Sequence, residues 1–345
     1  MATSALFFNV LPAFIAQLPN TPLPTRSHAA TTNHTDIHTL IHNYLHHYNI
    51  HCIAQRSPCT HYIWQTSIHT SPSKDSLPEQ PFRIVQQYWQ VDEAVGTIVL
   101  AHGYFDHVGL YGRIIQWALT NHYNVLCFDL PGHGLSGGEP AAIDHFRTYT
   151  KILNTVIQNA KDANLLSGPL YAIGQSTGCS VLTEALLHPT NTPHTFEHVI
   201  LLAPLVRIRY WPFLRCVHAL FAPFIDSIKR TFVPSSHDTE FNYFLRHKDP
   251  LQARRIPLSW INAMHCWYKS IKQQPHTTQH PQALSIIQGT ADTTVDWRYN
   301  IKKLQQLFPH AQAHYIPQAR HHLVKETDEY WQAAENVIAS ILQTH

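Results

Sequence analysis

The pentapeptide Gly174-Gln175-Ser176-Thr177-Gly178 sets a serine between small residues, directly after the apolar run "LYAI" and directly before "CSVL". A turn that passes from a buried strand into a helix this abruptly leaves no room for bulky neighbours, and it strains the serine backbone so that Oγ projects outward. A serine hydroxyl is a weak nucleophile near neutral pH and needs a base within hydrogen-bond reach, itself oriented by an acid. Two later segments supply these types: Asp292 follows "LSIIQGT", and His321 with His322 follows "HYIPQAR". Ser176 alone could be an ordinary turn residue. The ordered set Ser, Asp, His, each just past an apolar run, points instead to nucleophilic acyl transfer. Asp296 competes with Asp292 for the acid, and Asp292 is preferred because only a three-residue turn separates it from its run. Spacing alone does not choose between the two histidines.

Acyl transfer also needs two backbone N–H groups aimed at the developing oxyanion, one from the residue after the nucleophile and one from the loop after an earlier strand. Thr177 and Tyr104, the latter in "AHGYFDHVGLY", are the candidates. Asp129 and His133 in "DLPGHG", and His102 and His107, read as residues that order loops, and Cys179 as a small buried side chain.

The elements that must position these residues are legible as alternation. Short β-like runs, "THYIWQTS", "PFRIVQQYWQ", "GTIVLAHG", "YNVLCFDL", "PLYAIGQS", "HVILLAP", "ALSIIQGTAD" and "AHYIPQA", alternate with helical periodicity over 109–121, 144–163, 178–187, 297–308 and 326–343. The central runs are almost wholly apolar, as strands buried on both faces require. This pattern predicts the α/β class with a mostly parallel, doubly wound sheet. Its ligands belong beyond the carboxyl ends of the strands, where all the candidates above lie.

One interval breaks the alternation. About eighty residues without a convincing strand separate "LLAP" from "ALSIIQG", too many for one crossover, and read as an inserted helical lid over 204–280. Tyr210, Phe213, Leu214, Val217, Leu220, Phe221, Phe224, Ile225 and Ile228 recur there at helical spacing behind Trp211 and Pro212. Such a stripe suits packing on the core or the wall of an acyl-chain tunnel, with Trp211, Phe213, Leu214 and Phe221 as substrate-binding candidates. The insert carries 11 Lys/Arg against 4 Asp/Glu, and the rest of the chain 13 against 18. Arg207, Arg209, Arg215, Lys229 and Arg230 on a basic lid suggest peripheral contact with an anionic membrane; the competing account pairs these cations with the acidic body.

The chain has 345 residues and a net charge of +2 with histidine neutral, so no overall field points to nucleic acid. Its 28 histidines are scattered without structural-zinc spacing. His34, His38, His42 and His46 form an i, i+4 ladder on an amphipathic helix over 34–50, which reads as a solvated face. Six cysteines lack disulfide-framework spacing, which fits a reducing, cytoplasmic compartment, and only Cys52 and Cys59 are close enough for a local bridge. The apolar N-terminal stretch is interrupted by Pro12 and Pro19 and has no basic residue before Arg26, a poor signal peptide. The expected organisation is an N-terminal arm and helix over 1–55, a core over 56–203 and 281–345, and the insert.

The strings "HGYFDHVGLY", "FDLPGHGLSGG", "GQSTG", "GTADTTVD" and "ARHHLVKE" resemble the successive motifs of α/β hydrolases of the monoacylglycerol lipase and lysophospholipase group, with a serine aminopeptidase S33-type domain, over about residues 60–343. The resemblance implies the α/β-hydrolase fold with a lid, and hydrolysis of monoacyl lipid-like carboxylic esters through an acyl-enzyme, without metal or organic cofactor. It implies Ser176 as nucleophile, Asp292 as acid and His321 as base, His322 standing where the group often has Glu. Cys179 likewise replaces a common second glycine. An aminopeptidase or an acyltransferase would use the same residues; an aminopeptidase also needs carboxylates for the substrate amine, and the insert offers only Asp226, Asp238, Glu240 and Asp249.

Overall fold

A computed structural model describes residues 11–25, 36–51, 53–69, 81–188, 194–209, 211, 225–274 and 283–343. In chain order the strands are β1 (Leu23–Pro24), β2 (Thr60–Ile68), β3 (Phe82–Gln90), β4 (Gly96–Ala101), β5 (Tyr123–Phe128), β6 (Leu170–Gln175), β7 (His198–Leu202), β8 (Ser227–Lys229), β9 (Arg255–Pro257), β10 (Ala283–Gly289) and β11 (Gln312–Ile316). The helices are α1 (Ile37–His47), α2 (Ile53–Arg56), α3 (Gly112–Thr120), α4 (Phe146–Asp162), α5 (Thr177–Leu187), α6 (Thr239–His247), α7 (Leu258–Gln273), α8 (Trp297–Leu307) and α9 (Asp328–Gln343).

The apolar runs form one nine-stranded sheet in the order β1-β2-β3-β5-β4-β6-β7-β10-β11. From β5 to β11 every pairing is parallel, while β1, β2 and β3 join antiparallel at one edge. Period-2 alternation explains why the central runs are apolar throughout: Ile98 and Leu100 enter one core and Val99 the other, so both faces are covered. Helices α3 and α9 cover the first face and α4 and α5 the second, the doubly wound arrangement. On α4, residues Phe146, Tyr149, Leu153, Val156, Ile157 and Ala160 are buried at helical spacing. Each such aliphatic or aromatic side chain contributes about 1.5–3 kcal/mol by leaving water.

Strand β4 sits between β5 and β6, so its connection leaves on one side while β6 lies on the other. The resulting crevice is where an open α/β sheet holds ligands. Register aligns Ala101 with Gly174, so the loops after β4 and β6 start side by side.

The segment before β2 is integrated into the fold. Asp36 caps α1 by accepting from His38 N, and Leu40, Ile41 and Tyr44 are buried. Phe14 is also buried, with its ring 5.7 Å from that of Tyr44. Two histidines of the ladder lie against a neighbouring ring, His42 tilted on His46 at 4.1 Å and His46 stacked on His51 at 3.6 Å; His34 lies outside the described residues. Cys59 is free, and Cys52 lies outside the described residues.

The insert between β7 and β10 differs from expectation in two ways. It contains helices α6 and α7 but also the antiparallel ribbon β8–β9, whose three-residue strands are too short to display a period. The apolar spacing beginning at Tyr210 is not continuous helix, because Ile228 lies in β8; Tyr210, Phe213, Leu214, Val217, Leu220, Phe221 and Phe224 lie outside the described residues. Arg207 binds Asp296 at 2.6 Å and lies 3.5 Å over Tyr299, which fastens the start of the insert to the body. Arg215 lies outside the described residues, and Arg230 lines an internal cavity. Among the described residues no helix is long and apolar enough to cross a membrane.

Candidate active site

Ser176 ends the tight turn from β6 into α5 with φ 52° and ψ −109°, a conformation costly for any residue with a Cβ. The close approach of α5 to β4 explains the glycine at 178, where a Cβ would lie 1.9 Å from Ala101 O. Cys179 fills the next position fully buried, its thiol directed at Gly174 O (3.1 Å) and Leu202 O (3.3 Å), a contact that glycine could not make.

Ser176 Oγ lies 2.9 Å from His321 Nε2, and His321 Nδ1 lies 2.7 Å from Asp292 Oδ2. A carboxylate only accepts, so Nδ1 carries the proton and Nε2 accepts from the serine hydroxyl. Asp292 is further held by Gln288 Nε2 on Oδ2 and by the Thr294 and Val295 amides on Oδ1. Burial raises its pKa, but the charge and hydrogen bond of His321 outweigh burial and the carboxyl stays ionised. For His321 the balance is reciprocal: burial disfavours the imidazolium, Asp292 favours it more strongly, and the pKa lies above the usual histidine value. The rival Asp296 instead caps α8 and binds Arg207.

His322, the other histidine, faces away from the serine. Its Nε2 lies 3.1 Å from Asp106 Oδ2, which also accepts from Tyr111 Oη at 2.9 Å. Tyr111 Oη in turn accepts from Gly103 N, so His322 braces the loop after β4. In that loop Phe105 has φ 68°, and Tyr104 stacks on Trp260 of α7 at 3.8 Å. The Tyr104 and Thr177 amides have no acceptor among the described residues. Burial opposes ionisation of Asp106, yet His322 overrides it and holds the carboxyl well below its ordinary pKa. His102 is a loop-ordering residue: Nδ1 donates to Gly103 O and Nε2 accepts from Leu130 N, while burial lowers its pKa to about 3. Asp129 likewise accepts from the Val108 and Leu135 amides.

A cavity of about 500 Å³ opens at Ser176 and His321, with Leu205, Trp211, Leu258 and Met264 in its largely apolar wall. Its size falls within the usual range for small-molecule sites.

The sequence profile of the family described as serine aminopeptidase, S33 matches residues 92–328, more than half of the chain. The chain belongs to this family. The S33 hydrolase is 23% identical over 248 residues to a monoglyceride lipase homolog of Monkeypox virus, covering 70% of this chain and 88% of the relative. It is 26% identical over 125 residues to the monoglyceride lipase of Rattus norvegicus, covering 35% of this chain but only 39% of that enzyme. Among solved structures, a soluble variant of monoglyceride lipase from Saccharomyces cerevisiae superposes with a TM-score of 0.67 at 18% identity, covering 81% of this chain and 97% of the other. A carboxyl esterase from Bacillus coagulans gives 0.64 at 13% identity, covering 82% and 98%. The family match and these superpositions give the chain an α/β-hydrolase fold with an S33-type domain.

Two supports of the S33 hydrolase's site were not visible in its motifs. The histidine loop is held by Gln175 Nε2 donating to His321 O (2.9 Å), by His322 N donating to Ser235 O (2.8 Å) and by Arg320 N donating to the buried Glu326 (2.6 Å). The second is Asp249 at the end of α6, which accepts from Tyr48 Oη, His107 Nε2, Gln252 Nε2 and the Leu251 amide. It joins α1, the loop after β4 and the insert at one buried point. Burial disfavours the His107 imidazolium, but Asp249 overrides it and raises the pKa. Asp249→Ala removes the acceptor shared by three buried side-chain donors, and breaking its pair with His107 costs about 3–5 kcal/mol. Urea denaturation should show the midpoint falling with an unchanged slope; a loss below about 1 kcal/mol would mean that water replaces the carboxylate.

Proposed function

We propose that this serine ester hydrolase cleaves monoacyl lipid-like esters through an acyl-enzyme on Ser176. The observation that carries the proposal is the Ser176–His321–Asp292 hydrogen-bond chain at the mouth of an apolar cavity. His321 Nε2 takes the hydroxyl proton as Oγ attacks the ester carbonyl, and Asp292 stabilises the imidazolium that forms. The Thr177 and Tyr104 amides receive the oxyanion. His321 then returns the proton to the leaving alcohol, and the same residues activate water to release the acid. Trp211 and the apolar wall accept the acyl chain beneath the insert, which acts as a lid; Phe213, Leu214 and Phe221 remain candidates outside the described residues. That relatives of this chain are monoglyceride lipases supports a single acyl chain as the substrate feature.

An aminopeptidase would need carboxylates facing the substrate amine. The cavity carries Arg209 and Arg230, and its one carboxylate among the described residues, Asp106, is engaged by His322 and Tyr111. Fluorophosphonate labelling should modify Ser176 alone, read by peptide mass. Across p-nitrophenyl esters kcat/KM should rise from acetyl towards medium and long chains. Labelling elsewhere would sink the mechanism, and an optimum at acetyl would sink the lipid assignment.

A further inference from the structure

Arg230 follows β8, and its side chain lines the cavity that holds Ser176. Its guanidinium lies 3.9 Å over the ring of Phe105 and 4.2 Å over that of Phe232. Among the described residues only Nη1 is used: it donates to Gln252 Oε1 at 2.7 Å and to Ala253 O at 3.3 Å. Gln252 is itself fixed, its Nε2 donating to Phe105 O at 2.8 Å and to Asp249 Oδ2 at 2.9 Å. The guanidinium is therefore held in one orientation by stacking and by a buried amide.

What this orientation leaves over is the Nε and Nη2 edge. Those N–H groups have no acceptor among the described residues, and no carboxylate lies within ion-pair distance. The two carboxylates whose fields reach Arg230, Asp106 and Asp249, are committed to Tyr111 and His322 and to His107 and Tyr48. Removing a cation from water without a partner is costly, and burial lowers its pKa to about 10. The fields of Asp106 and Asp249 offset part of that cost, but among the described residues neither carboxylate reaches ion-pair distance. The Nε/Nη2 edge is the fork that matches phosphate or carboxylate oxygens bidentately. Phe105, over which the guanidinium lies, is the neighbour of Tyr104, and Arg230 lines the same cavity as Ser176.

We infer that Arg230 is a headgroup-specificity residue that binds the phosphate of a monoacyl glycerophospholipid, making anionic lysophospholipids preferred over neutral monoacylglycerols. The inference depends on the ester-hydrolase function proposed above.

Three substrates with one common oleoyl chain test it, each dispersed in non-ionic detergent so that surface charge does not enter: 1-oleoylglycerol, 1-oleoyl-lysophosphatidylcholine and 1-oleoyl-lysophosphatidylglycerol. The anionic-to-neutral ratio of kcat/KM should exceed about tenfold in the wild type, as expected for a charge-assisted fork. Arg230→Gln should lower that ratio about tenfold or more, and Arg230→Lys, which keeps charge without the fork, should retain part of it. Thermal melts confirm folding of both variants, and the ratio is read whatever the absolute rate on the neutral ester. Lys229→Gln, at an exposed neighbouring cation, should leave the ratio unchanged. A wild-type ratio near unity, a ratio unaffected by Arg230→Gln, or an equal loss in Lys229→Gln would overturn the assignment. Inorganic phosphate raising Tm while the ratio stays near unity would make this a free-anion site and overturn it equally. Failure of all three lipids together with absent fluorophosphonate labelling would instead remove the ester-hydrolase function itself.

Discussion

Ser176→Ala should abolish ester hydrolysis, lowering kcat by about 10⁴–10⁶, as loss of a triad nucleophile does. The fold should survive, because the substitution keeps Cβ and removes only an Oγ whose side-chain partner is His321. The strained turn makes a second comparison informative. Alanine at φ 52° and ψ −109° bears the same steric cost as serine, whereas glycine does not. Ser176→Gly should be equally inactive yet more stable than Ser176→Ala by roughly 1 kcal/mol, near the lower end of such strain. Rates come from p-nitrophenyl esters and stabilities from thermal or urea melts. Retention of more than a few per cent of activity by Ser176→Ala would place the nucleophile elsewhere. Equal stability of the two variants would mean that the turn stores no strain.

The sheet was legible because its central strands are buried on both faces, which demands runs such as "GTIVLA" and "YNVLCF" that nothing exposed would conserve energy by adopting. The helix over 144–163 was legible from its single apolar stripe, observed as Phe146–Asp162. What escaped is non-local. Asp249 was one of four acids in a basic insert, and only tertiary contact between α1, the loop after β4 and α6 makes it an anchor. Arg207 and Arg230 looked alike on the chain, yet one meets Asp296 while the other is stacked on Phe105 and Phe232 at the cavity wall. The β8–β9 ribbon has three residues per strand, less than two side-chain periods on either face, so its pattern is silent. The spacing of "RHHL" did not rank its histidines, because their choice is made by the turn that directs one ring to Ser176 and the other to Asp106.

That divergence gives the second large effect. His321→Ala should match Ser176→Ala, since no other base lies within reach of Oγ among the described residues and the two act as a unit. His322→Ala should cost far less, at most on the order of 10²-fold, because it removes the brace on Asp106 and loosens the oxyanion loop without touching proton transfer. The pH profile separates the roles further. His321 works only when neutral, so kcat/KM should rise with pH through a pKa above the ordinary histidine value of about 6.5. Asp292 holds that pKa up by favouring the imidazolium, so Asp292→Asn should move the acidic limb to lower pH while lowering kcat by about 10⁴. His322→Ala should leave the limb near its wild-type position, since the His321 ring keeps its Asp292 partner. An acidic limb that shifts in His322→Ala but stays fixed in Asp292→Asn would transfer the base to His322 and its orienting acid to Asp106.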